Sequence, residues 1–129
     1  MNDRFKFRYV NELDNKVYEV ASINFKFDEL YIKIDDYAEQ GAYEINPDNL
    51  SQCTGLKDKN GTLIYEGDIV KDTETNDIAV IKWDENYIQF IAEEKGGFFC
   101  IDFDFSICKK FEVIGNIYEN PELLEEQND

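Results

Sequence analysis

The feature that most constrains this chain is a strict two-residue alternation of apolar side chains with polar or charged ones, repeated in several separate stretches. In Arg4-Phe5-Lys6-Phe7-Arg8-Tyr9 the rings fall on one side and the cations on the other. Ile23, Phe25 and Phe27 alternate with Asn24, Lys26 and Asp28, and Leu30, Ile32 and Ile34 with Tyr31, Lys33 and Asp35. Ile101, Phe103 and Phe105 repeat the pattern against Asp102 and Asp104. Successive side chains of an extended strand point to opposite faces, so this pattern predicts strands with one buried and one wet face.

Turn residues divide the strands. Asp28-Glu29 separates two alternating runs and predicts an antiparallel hairpin. Asn60-Gly61 is a strong hairpin cue, because both residues tolerate positive φ in a type I′ turn. Glu66-Gly67-Asp68 and Asp84-Glu85-Asn86 predict further turns, and Gly96-Gly97 precedes a strand expected over Phe98–Phe105. Phe111–Tyr118 predicts a last strand. Helix signals are sparse. Residues 35–49 predict a loop or one short helix stopped at Pro47, and Asn120-Pro121 predicts a short C-terminal helix through Leu123 and Leu124.

The expected fold class is therefore mainly β. Antiparallel strands form a small barrel or strongly bent sheet with SH3-like character in residues 50–118, followed by the short helix. The expected organisation is an N-terminal hairpin or extension at 1–49, a barrel-like core at 50–124 and a disordered acidic tail at 125–129.

Composition narrows the function. With 13 basic and 29 acidic residues the net charge is −16. Nucleic acid is held by Lys and Arg that displace its counterions, so direct nucleic-acid binding is not expected. The charge is uneven. Residues 1–27 hold five bases and four acids, whereas residues 84–129 hold three bases and twelve acids. Opposed patches of this kind could aid head-to-tail self-association, but two solvated faces are the simpler explanation and the favoured one. No apolar run approaches the ~20 residues of a membrane span, and Met1–Lys6 lacks the apolar stretch of a secretory signal. Cys53, Cys100 and Cys108 are odd in number and form no CxxC, which fits reduced thiols. The expected location is cytoplasmic, without membrane contact.

Catalytic chemistry finds little support. The absence of histidine removes the commonest neutral-pH base and every His-containing metal site. Cys108, followed by Lys109-Lys110, has the one neighbourhood that suggests a lowered thiol pKa, while Cys53 and Cys100 lie in apolar runs expected to be core. Carboxylate pairs occur at Asp35-Asp36, Asp84-Glu85, Glu93-Glu94 and Asp102 with Asp104, as 29 acids make inevitable. Asp58–Ile64 imitates a calcium loop, but aligning Gly61 with that loop's glycine puts Leu56 and Gly67 at ligand positions. No catalytic, cofactor-binding or metal residue is assigned, no cofactor is expected, and the chain is not expected to be an enzyme.

Three blocks go beyond general β-patterning. Cys53-Thr54-Gly55-Leu56-Lys57-Asp58-Lys59-Asn60-Gly61 runs into Ile64-Tyr65-Glu66-Gly67-Asp68-Ile69-Val70-Lys71, Val80–Asp84 follows, and Phe111–Leu124 closes the set. Together with Lys6-Phe7-Arg8, these resemble the YopX family of small proteins of bacteriophages and prophages of Gram-positive bacteria. The resemblance implies a β-rich phage accessory protein of no established activity, so no catalytic residue is carried over. The expected function is a non-catalytic protein-interaction or self-assembling module, a homo-oligomer with a host or phage protein as a further partner. The alternative is an acidic decoy that mimics DNA toward a host nucleic-acid-binding protein.

Overall fold

The computed structural model describes residues 3–35, 38–96 and 100–125. Among these described residues eleven strands form two antiparallel sheets. The first takes β1 (Phe7–Asn11), β2 (Lys16–Asn24), β3 (Glu29–Lys33), β4 (Glu39–Glu44), β5 (Leu50–Lys57) and β6 (Leu63–Tyr65), in the order β4-β3-β2-β1-β5-β6. The second takes β7 (Asp68–Asp72), β8 (Ile78–Asp84), β9 (Gln89–Glu94), β10 (Cys100–Asp102) and β11 (Phe111–Asn116), in the order β10-β9-β8-β7-β11. Because β5 pairs with β1, the first sheet runs continuously across residues 49 and 50.

The alternation expected of the strands holds where the face is covered. Leu30 and Ile32 are fully buried and, with Tyr9, form one core under the first sheet. Ile64, Val70, Ala79, Ile81, Ala92, Phe103, Cys108 and Phe111 form a second core beneath the second sheet. Elsewhere the pattern overshoots. Phe25 and Phe27 stand exposed in the β2–β3 turn rather than on a half-buried strand, and Ile101 and Phe105 are exposed while Phe103 is buried. The start of the strand expected from Phe98 lies outside the described residues, as does the tail beyond 125.

The expected barrel does not close. β10 and β11 are opposite edges of an open sheet. The edge of β11 is satisfied by the β5–β6 loop instead: Asp58 Oδ2 accepts from the Val113 amide at 2.9 Å, and the Lys59 amide donates to the Phe111 carbonyl at 3.0 Å. The loop thus occupies the start of the edge that a closing strand would need. The expected C-terminal helix is a single 3₁₀ turn, Pro121–Leu124, because the Asn120 side chain accepts from the Asn116 amide rather than capping a helix. Residues 39–44, expected as loop or helix, are a strand paired with β3. Gly41 makes this possible: opposite Tyr31, a Cβ there would lie 1.8 Å from its ring. At Gly115 the β11–β7 register slips between Val113 and Gly115, a bulge within the last strand.

The Asn60-Gly61 hairpin also forms, with different geometry. Gly61 has φ of +81° and Asn60 does not have positive φ, so the turn is not type I′. Instead Asp58 Oδ1 accepts from the Asn60 and Thr62 amides and the Gly61 amide donates to the Asp58 carbonyl. This side-chain-closed turn belongs to a wider habit. Four other turns, at residues 12–15, 25–28, 73–76 and 85–88, each open on an Asn or Asp whose Oδ1 accepts a following amide: Asn11, Asn24, Asp72 and Asp84. Each ends on a residue with left-handed backbone: Asn15, Asp28, Asn76 and Ile88. Asn and Asp tolerate that conformation, whereas a β-branched residue pays of the order of 1–2 kcal/mol for it.

Ile88 is thus strained, and it is 75% exposed, so packing does not compensate. Replacing it by the residue used in the equivalent turn, Ile88→Asn, is expected to raise unfolding free energy by about 1 kcal/mol in urea titrations with unchanged slope. The converse change, Asn76→Ile, is expected to lower it by a similar amount.

Candidate functional site

The two sheets meet where Gly67 turns the chain from β6 into β7. The Gly67 amide donates to the Ile81 carbonyl at 2.7 Å, and its carbonyl accepts from Ile117 at 2.9 Å. Asp68, next in sequence, is 1% exposed despite its charge. Its Oδ1 pairs with the Arg8 guanidinium from β1, and its Oδ2 accepts from the Tyr65 amide at 2.8 Å. The Arg8 guanidinium lies over the Tyr65 ring, 4.0 Å from the centroid. Arg8, expected on a solvent face, is therefore drawn inward because the β6–β7 junction covers that face. Burial pushes the Asp68 carboxyl above its ordinary value, against the opposing pull of Arg8 and the Tyr65 amide. Burial also pushes the Tyr65 hydroxyl up to about 12.

The thiols do not form a reactive centre. Cys108 is buried, and burial pushes its thiol up against the weaker pull of Lys109. Cys53 is buried with its thiol likewise raised, chiefly by burial, whereas Cys100, expected in the core, is exposed. The paired carboxylates separate into local tasks. Glu93 pairs with Lys82 at 2.8 Å, Asp102 accepts from Gln89, and Asp104 takes the Ser106 hydroxyl and the Ser106 and Ile107 amides. Asp84 closes its turn on the Asn86 amide at 2.9 Å. Asp36 lies outside the described residues. Among the described residues, no group of three or more Cys, Asp or Glu could hold a metal ion.

What remains uncommitted lies on the surface. Leu13, Phe25, Phe27, Tyr87 and Ile88 project from turns into solvent. A groove of about 560 Å³ opens between the β5–β6 hairpin and the turn before β11, lined by Lys57, Lys59, Lys109, Leu56 and Phe105 among others. The Lys109 ammonium sits 4.8 Å from the centroid of the exposed Phe105 ring. Sequence reading missed this groove, since its lysines come from separate segments. It also missed the buried pair, although Asp68 held between Gly67 and the apolar Ile69-Val70 was a usable signal.

These features define a small two-sheet antiparallel β-protein whose internal polar groups are spent on its own turns and on the joint between its sheets. The chain belongs to the YopX family, whose model, described as YopX protein, matches residues 6–125. Protein EF1440 from Enterococcus faecalis is a similar solved structure, with 27% identity, 93% of this chain and 97% of that chain covered, and a TM-score of 0.65. Protein yopX from Bacillus subtilis shares the fold at 21% identity, with 99% and 100% of the chains covered and a TM-score of 0.60. The search of curated proteins found no match.

Removing one partner from a buried ion pair strands the other, so Asp68→Ala is expected to cost about 3 kcal/mol of stability, read by urea unfolding. A carboxyl whose folded value is raised stabilises most below its unfolded value, near 3.8, and that contribution fades as pH rises through the folded value. The stability of the wild type relative to Asp68→Asn, which cannot titrate, is accordingly expected to fall as pH is raised above 3.8. For the thiols, alkylation of the native protein with iodoacetamide followed by mass mapping is expected to label Cys100 first, with Cys53 and Cys108 reacting only on unfolding.

Proposed function

We propose that this YopX-family chain is a non-catalytic assembly module that acts as a homo-oligomer in the cytoplasm of a bacterium carrying a phage or prophage. The observation that carries the reading is the placing of large apolar side chains at turn tips, where polar residues would serve the fold as well. Single exposed hydrophobics are ordinary, but Ile88 holds its place at a cost in backbone strain that its three counterparts avoid. That cost is understandable if the side chain is covered in the working state. The phage setting is what the family resemblance implies, and the cytoplasmic setting is supported by three unpaired cysteines.

The disposition of the acids favours this reading over a DNA-mimicking decoy. A decoy needs carboxylates free and ranked on one surface. Here Asp58 and Asp68 are buried, and Asp72, Asp84 and Asp104 bind amides in separate turns. Light scattering across a concentration series is expected to show a mass above that of one chain by on the order of 100 μM. A strict monomer over that range, with no host or phage protein bound, would remove the proposal.

A further inference from the structure

We infer that two copies of this chain pair by reciprocal exchange, the β8–β9 tip of each entering the lysine-lined groove of the other; this rests on the assembly reading above. The groove is a cationic site in a chain of net charge −16. Lys57, Lys59 and Lys109 line it, all exposed and, among the described residues, without ion-pair partners. Asp58, the one acid among its described lining residues, is buried, with both carboxylate oxygens turned to backbone amides, so it offsets one of the three charges but forms no ion pair with the lysines. Leu56 and the exposed Phe105 ring give the groove an apolar wall. The matching occupant is an acidic segment bearing an aromatic ring.

The chain carries such a segment at its own β8–β9 tip. Asp84 and Glu85 supply two negative charges, Tyr87 is 76% exposed, and Ile88 is the residue held in strained backbone. The β2–β3 tip offers two rings but mixes Lys26 with its acid, and is the poorer match. Position favours a two-fold arrangement. β10 runs antiparallel to β9, with Asp102 opposite Ile91, and the Phe103 amide donates to the Phe90 carbonyl. The chain leaving β10 therefore reaches Phe105 at the end of the sheet where β9 begins, the end that carries the tip. With tip and groove at one end, two copies facing each other satisfy both contacts at once, as a self-complementary interface requires. One insertion is small, but two move the buried area toward the ~1,000 Å² of a specific interface. Long-range repulsion between anionic copies is screened beyond ~10 Å at 0.1 M salt, whereas lysine–carboxylate contacts within the groove lie inside that distance.

The test is a charge exchange read by light scattering and sedimentation. A groove-reversed variant carries Lys57→Glu, Lys59→Glu and Lys109→Glu. A tip-reversed variant carries Glu85→Lys and Asn86→Lys, leaving Asp84 to close its turn. All five side chains are exposed, and urea midpoints check that the fold is kept. Wild type is expected to be a dimer, and each variant alone a monomer with affinity reduced on the order of 100-fold. Their 1:1 mixture is expected to recover the dimer, because each tip then meets a groove of opposite charge. The single variant Tyr87→Ser is expected to weaken the dimer at least ~10-fold, independently of the charge changes. A wild type that never assembles overturns the assembly reading and the exchange together. A wild type that assembles while both reversed variants still do so, a mixture that stays monomeric, or open-ended growth beyond two copies leaves assembly standing and overturns the exchange.

Discussion

The buried carboxylate of Asp68 joins the two halves of this molecule. Asp68 sits on the first residue of β7, takes the guanidinium of Arg8 from β1 and holds the amide of Tyr65 at the end of β6. Neither sheet is self-sufficient at this seam, since the partner that satisfies each charge belongs to the other sheet. Ion pairs of this kind are weak evidence of stability in themselves, because desolvation offsets much of the attraction. Their effect is on arrangement: a carboxylate out of water accepts few geometries, and here the accepted one fixes how β7 leaves β6. The Gly67 contacts to Ile81 and Ile117 and the Ser51–Tyr118 hydroxyl pair then lie close around the same seam.

The acid excess takes on a different meaning in this light. A net charge of −16 suggests a uniformly anionic coat. In the fold, many aspartates act as backbone acceptors that end a strand and begin a turn. Short polar side chains compete for nearby amides, which is why they gather where the ladder must stop. The same four-residue device closes the turns at 12–15, 25–28, 73–76 and 85–88 in both sheets, so sheets of different sequence share one turn grammar.

Much of this was readable from the chain. Alternation located β1 and β3 and picked out Leu30, Ile32 and Phe103 as core, because burial on one face leaves a period-two trace. Alternation is blind to where a strand ends, so Phe25, Phe27 and Phe105 were placed on covered faces that stop short of them. β4 was missed because its strand character depends on a cross-strand partner, the Tyr31 ring over Gly41, which no local pattern encodes. The barrel expectation failed for a similar reason: the β5–β6 loop takes the edge of β11, a contact between Asp58 and Val113 that spans 55 residues. The turn residues were legible as turns, but the left-handed backbone at Ile88 was not, since isoleucine gives no warning of it.

Two aspartates of the loops, Asp14 and Asp104, and the aspartate of the seam answer acid in opposite directions. Hydrogen bonds from the Ser106 hydroxyl and nearby amides hold the Asp104 carboxyl below its usual range, and the Tyr18 hydroxyl and Lys16 amide do the same for Asp14. What these groups contribute is present above about 3.8 and drains away as protons arrive, whereas Asp68 welcomes its proton. Acidification therefore removes what Asp14 and Asp104 contribute to their turns while the contribution of Asp68 at the seam is kept.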